Sequence, residues 1–113
     1  MYRWIDMAYS IYVIELKKGV LKHKKFKEAN PNYIPGKPCV YVGYTSKTPE
    51  DRYEKHKAGT MISAPYAKKY GFRLKPRLYR VHNPMSSRKE ALAMEKEKAR
   101  RLRNRGYGVW QNW

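Results

Sequence analysis

The apolar residues of this chain come in short runs separated by long polar stretches, and their spacing changes along the sequence. Residues 9–16, YSIYVIEL, are rich in β-branched and aromatic side chains and predict a first strand. Residues 39–44, CVYVGY, predict a second, and Arg77–His82 a third. The connection between the first two, residues 17–38, is long and polar and ends in the turn-forming run NPNYIPGKP. It reads as an elaborated hairpin loop carrying a short helix near Val20–Lys27.

The helices are marked by their ends. Thr48 can cap a helix that takes Pro49 at its first position, Glu50 and Asp51 at its positive end, and Gly59 as its stop. A short helix over 63–70 ends at Gly71. The last opens at SSRKE, where Ser87 and Glu90 form a capping box, and closes near Gly106, with the tail YGVWQNW packing back on the body. The order β-β-α-α-β-α predicts a small α/β (α+β) domain over residues 1–113. Its central sheet is expected to have three strands, flanked by helices.

One residue in the last helix breaks the pattern. At 100° per residue, Ala91, Leu92, Ala99 and Leu102 share about a third of the circumference, and Glu95 falls inside that apolar arc. Glu90 and Glu97 point the other way. A carboxylate on a buried face is costly without a cation or strong donors. It is either half of an internal salt bridge or a metal ligand or catalytic carboxylate, and the helix alone does not choose.

Charge narrows the partners. Lysine and arginine total 26 against 9 acids, a net charge of +17 on 113 residues. A field of that sign favours a polyanion, and nucleic acid is the commonest. The charge is concentrated: residues 17–27 hold Lys17, Lys18, Lys22, Lys24 and Lys25 among six lysines, and residues 68–80 hold Lys68, Lys69, Arg73 and Lys75 among six basic residues, with no acid in either block. These nine are the expected backbone contacts, and binding through them is expected to fall steeply with salt. The single cysteine, Cys39, excludes an internal disulfide and fits a reducing compartment. No apolar run is long enough to span a bilayer, so a soluble cytoplasmic protein without a membrane partner is expected.

Three elements then stand in a telling order: Ser10-Ile11-Tyr12 on the first strand, Tyr41-Val42-Gly43 on the second, and Arg52 with His56 on the following helix, with Glu95 later in the ALAME context. This constellation resembles the GIY-YIG nuclease family, and the resemblance runs from about Tyr9 to Asn112. Ser10 replaces the first glycine and Val42 an isoleucine. Tyr44 stands where some members carry a lysine. The resemblance implies a divalent-metal-dependent endonuclease acting on nucleic acid, DNA in preference to RNA. Tyr12, Tyr41, Arg52 and His56 would be catalytic, Glu95 would bind Mg2+ or Mn2+, and Tyr44 and Asn112 would support them.

The chemistry suits those residue types. A metal on Glu95 would act as a Lewis acid, and a guanidinium fork fits a nonbridging phosphate oxygen. Tyr12 would orient the attacking water and accept its proton, for which its ordinary pKa of about 10 has to fall. Gly43 is expected to turn the chain tightly between strand and helix. His23 and His82 lack partners at metal-ligand spacing and read as surface residues.

Other chemistries fit poorly. Glu15-Leu16-Lys17 after Asp6 lacks the proline and spacing of the acid…acid-x-Lys nucleases, and no glycine-rich phosphate loop, HExxH or Ser-His-Asp arrangement is present. The alternative is a non-catalytic basic nucleic-acid-binding module, including a family member that no longer cuts. Specificity would come from the basic insertion, a homodimer or a targeting partner protein.

Overall fold

The computed structural model describes residues 8–58 and 64–111. Their chain order is β1 (Ser10–Leu16), α1 (Lys24–Glu28), β2 (Cys39–Thr45), α2 (Pro49–Ala58), α3 (Pro65–Tyr70), β3 (Gly71–Leu74), α4 (Arg88–Asn104) and β4 (Gly108–Gln111). The architecture is a mixed α/β fold. One four-stranded sheet has the order β3-β1-β2-β4, with β1 antiparallel to both β2 and β3 and with β4 parallel to β2.

The middle strands explain their own sequence. Ile11, Tyr12, Val13 and Ile14 on β1, and Cys39 through Val42 on β2, are all buried, so apolar residues run continuously rather than alternating. α4 packs against β2 and β4, and α2 against β1, β3 and α3. α4 buries Ala91, Glu95, Ala99 and Leu102 as its spacing predicts, with Leu92 at the margin of that stripe. Ser87 Oγ accepts the Glu90 N–H at 3.1 Å, and the Glu90 carboxylate accepts from Ser86, one residue outside the predicted box. Gly106, at φ +90°, closes the helix in a conformation that other residues rarely adopt.

The sheet departs from expectation at both edges. The tail does not merely lie on the body: Gly108–Gln111 pairs with Cys39–Val42 as a fourth strand. The expected third strand at Arg77–His82 is instead two 3-10 turns, Pro76–Leu78 and Arg80–His82. The free edge of β1 is already filled. Residues 71–74 pair with its C-terminal half, the Asn83 side chain exchanges two hydrogen bonds with the Ile11 backbone at 2.9 and 2.8 Å, and Met85 bridges Tyr9. Arg77–His82 therefore has no edge of β1 left to pair with, and Val81 stands 79% exposed.

The insertion at 17–38 is folded onto the body. A 3-10 turn over Lys18–Lys22 precedes α1, and Val20 and Phe26 are fully buried. Asn30 secures it. Its amide donates to the carbonyls of Phe26 and Val109 at 2.8 and 3.0 Å, while its oxygen accepts the Val109 N–H at 2.8 Å. Among the described residues, no helix is long and apolar enough to cross a membrane.

Candidate active site

The β1–β2 register sets the first two side chains. Tyr12 pairs with Gly43 and Ile14 with Tyr41, so both tyrosines project from one face of the sheet on a diagonal, 6.1 Å apart between ring centroids. Gly43 does not turn the chain, because β2 continues through it to Thr45. Its role is space. A Cβ there would lie 2.5 Å from the Tyr12 hydroxyl oxygen and 2.7 Å from Cζ, so the phenol lies where a side chain would stand.

α2 delivers the next pair. Thr48 Oγ1 accepts the Asp51 N–H at 3.1 Å, fixing the helix start and hence the phase of every later residue. Arg52 and His56, four apart, then share a face. The helix is polar nearly throughout, and its buried residue is His56, at 1% exposure. His56 Nε2 and the Tyr12 hydroxyl share a hydrogen bond of 3.0 Å, and the imidazole meets Tyr41 edge-on at 5.3 Å. Arg52 is half-buried, and its Nε–H has no acceptor.

Glu95 completes the group from α4. It is 1% exposed, enters no ion pair among the described residues, and its Oε2 lacks a hydrogen-bond partner. The salt bridge that would have made this residue structural is not formed there. Burial pushes its carboxyl up to about 7, with Lys96 pulling weakly the other way. Its negative charge reaches both tyrosines and opposes their ionisation.

Tyr12 behaves opposite to expectation. Burial pushes Tyr12 up to about 12, although the Arg52 guanidinium and Tyr41 favour its ionised form. Tyr41 is also pushed up by burial, then by Tyr12 and Glu95. Desolvation outweighs the positive field at this depth. His56 is lowered to about 4 by burial and then by Arg52, so the imidazole is neutral at ordinary pH.

The remaining expected residues are dispersed. Lys17, Lys18, Lys22, Lys24, Lys25, Lys68 and Lys69 are exposed. Arg73 and Lys75 flank Glu15 at 2.7 and 3.6 Å, so an internal carboxylate already takes part of their charge. Asn112 lies outside the described residues. His23 is no isolated surface residue: its Nε2 shares a 2.7 Å hydrogen bond with the Tyr70 hydroxyl, and its ring meets Tyr66 at 5.1 Å, tying the insertion to α3. His82 is partly covered, and burial, Lys98 and Arg101 lower its pKa.

Beside the cluster is a cleft of 310 Å3 lined by Tyr9, Tyr44, Thr45, Ser46, Arg52 and Arg88. Arg88 escaped the sequence reading because only its neighbours in SSRKE carry a motif. The one available signal was a cation at the first position of a capped helix, where the helix dipole disfavours it. A larger cavity of 630 Å3 lies in the insertion between Leu21, Phe26, Pro31 and Tyr33, and none of the five core residues lines it.

The donor set fits an open metal site better than a closed one. Among the described residues no three His, Cys, Asp or Glu side chains come together, so a protein-only cage is absent there. Glu95, buried with an orphaned oxygen, suits the pattern in which one carboxylate holds Mg2+ and waters and substrate phosphate complete the shell. Comparison with protein-family models, curated proteins and solved structures finds no match in any of the three. The likeness to GIY-YIG nucleases therefore rests on these residues and their arrangement.

Proposed function

We propose that the protein is a metal-dependent endonuclease hydrolysing phosphodiester bonds in nucleic acid, most simply DNA. The observation that carries this reading is Glu95: a buried carboxylate in no ion pair among the described residues, whose charge reaches Tyr12 and Tyr41, the two tyrosines that meet His56. A structural carboxylate would have brought its own cation.

Glu95 would hold the divalent ion, which supplies Lewis-acid stabilisation of the developing charge on the phosphate and leaving oxygens. Arg52 would clamp a nonbridging oxygen with its unfilled Nε–H. Tyr12 orients the attacking water. With the His56 ring proton on Nδ1, Nε2 accepts the Tyr12 hydroxyl proton as the Tyr12 oxygen takes one from water, so the tyrosine never has to exist as a free phenolate. Tyr41 backs the imidazole edge and keeps bulk water from it.

The binding-module alternative draws on a different observation. Tyr12, Tyr41, His56 and Glu95 are each 1% exposed, as expected of a buried polar cluster that no longer meets substrate. Incubation with plasmid and with branched or mismatched duplexes, in Mg2+ or Mn2+ and then in chelator, separates the two. Cleavage is expected only with metal, and is expected to be lost in Glu95→Ala and sharply reduced in Tyr12→Phe. Equal binding with no cleavage above the Glu95→Ala background on any substrate supports the binding module instead.

A further inference from the structure

We infer that the cleft between Arg52 and Arg88 is a second phosphate subsite, which holds the phosphodiester next to the one cleaved on the same strand. The inference rests on the nuclease reading for its substrate and adds a specific residue, Arg88, to it.

The lining is built for an anion. Two arginines line it together with the hydroxyl-bearing Tyr9, Tyr44, Thr45 and Ser46, and among the described residues no carboxylate does. Thr45 Oγ1 already accepts the Lys47 N–H at 2.9 Å, so its own O–H is left to donate. Arg52 Nε–H is buried and unsatisfied. At 310 Å3 the cleft sits at the low end of the range for small-ligand sites, about 300–1,000 Å3.

Arg88 is held by a ring and, among the described residues, by no carboxylate. It enters no ion pair among the described residues, and it stands at the first position of α4, where the helix dipole opposes a cation. Its guanidinium lies over the Tyr44 ring, 5.7 Å from the centroid. That contact orients the planar group and leaves its N–H fork for an oxyanion. Tyr44 thus serves as a platform for a cation delivered from α4.

Arg52 joins the two places. It lines this cleft and also acts on Tyr12, so an anion held between Arg52 and Arg88 is the immediate neighbour of a phosphate at Tyr12 and His56. Two successive phosphates of one strand would occupy the two places. Arg88 is then a positioning residue: it holds the strand in register and touches no reacting atom.

The test is a set of short duplexes, each with one uncharged methylphosphonate, walked along one strand and bound in chelator to the native protein, Arg88→Gln and Arg88→Lys. Arg88→Gln is expected to bind the unmodified duplex about tenfold more weakly and to lower the log-log salt slope by about one. At one position, neutralisation is expected to cost the native protein about tenfold and Arg88→Gln almost nothing, because the contact is already gone. Arg88→Lys is expected to recover part of the loss. In cleavage, Arg88→Gln is expected to raise KM far more than it lowers kcat.

If Arg88→Gln leaves affinity and salt slope unchanged, or loses affinity equally at every methylphosphonate position, the subsite is wrong even when the protein cuts. If one phosphate couples to Arg88 but no metal supports cleavage, the subsite stands and the nuclease reading falls. No binding to any duplex overturns both.

Discussion

Replacing Glu95 with glutamine is expected to stabilise the metal-free protein, an unusual outcome for a residue assigned to a catalytic site. The carboxyl is raised from its ordinary 4.5 to about 7 by burial. For a carboxyl shifted in that direction, the stability contribution is full below pH 4.5 and is lost as pH rises through about 7. At 1.4 kcal/mol for each tenfold change in proton affinity, the ionised side chain costs about 3 kcal/mol at pH 8. Glutamine keeps the shape and removes the charge. Urea denaturation in chelator is therefore expected to place Glu95→Gln above the native protein by up to about 3 kcal/mol at pH 8, with the difference closing near pH 4.5. Millimolar Mg2+ is expected to restore native stability at pH 8 and to leave the glutamine variant unmoved. A glutamine variant less stable than native at pH 8 in chelator would refute the reasoning, because it would reveal a cation partner already paired with Glu95.

Three further outcomes follow from the same geometry. His56, lowered to about 4 from 6.5, contributes stability that is present above pH 6.5 and lost as pH falls through 4, opposite in sign to Glu95. The two slopes nearly cancel in the native protein, so pH-dependent denaturation of Glu95→Gln is expected to uncover a rise of about 3 kcal/mol between pH 4 and 6.5; a flat profile would contradict it. Gly43→Ala puts a methyl group 2.5 Å from the Tyr12 hydroxyl, and is expected to cost about 1–3 kcal/mol by thermal denaturation and to reduce cleavage toward the Tyr12→Phe level; full activity would show that the ring can move freely. Asn30→Ala strands the Val109 N–H, while the Val109 C=O keeps its Arg103 Nη2 donor, and is expected to destabilise by about 1–3 kcal/mol with faster hydrogen exchange at Val109; unchanged exchange would show that β4 holds without it.

What the sequence determined by itself was local. The two central strands are apolar on both faces, so their runs stood out. Thr48, Pro49, Ser87 and Gly106 set the helix ends because capping depends on a few adjacent residues. Glu95 was conspicuous because helical period places it among Ala91, Ala99 and Leu102, and its burial follows from that same period. Tertiary structure decided everything that depended on a partner. Arg77–His82 has the composition of a strand, but pairing needs a free edge, and Gly71–Leu74 with Asn83 had taken it. GVWQ, too short to declare itself, became a strand because β2 had an edge to offer. That no described residue forms an ion pair with Glu95 could not be read from a chain with 26 basic residues, each free by sequence to fold back to it. The same holds for Gly43 and Arg88. One is required by a ring from the neighbouring strand, and the other stands over Tyr44, 44 residues earlier in the chain, because through-space proximity is not written in local periodicity.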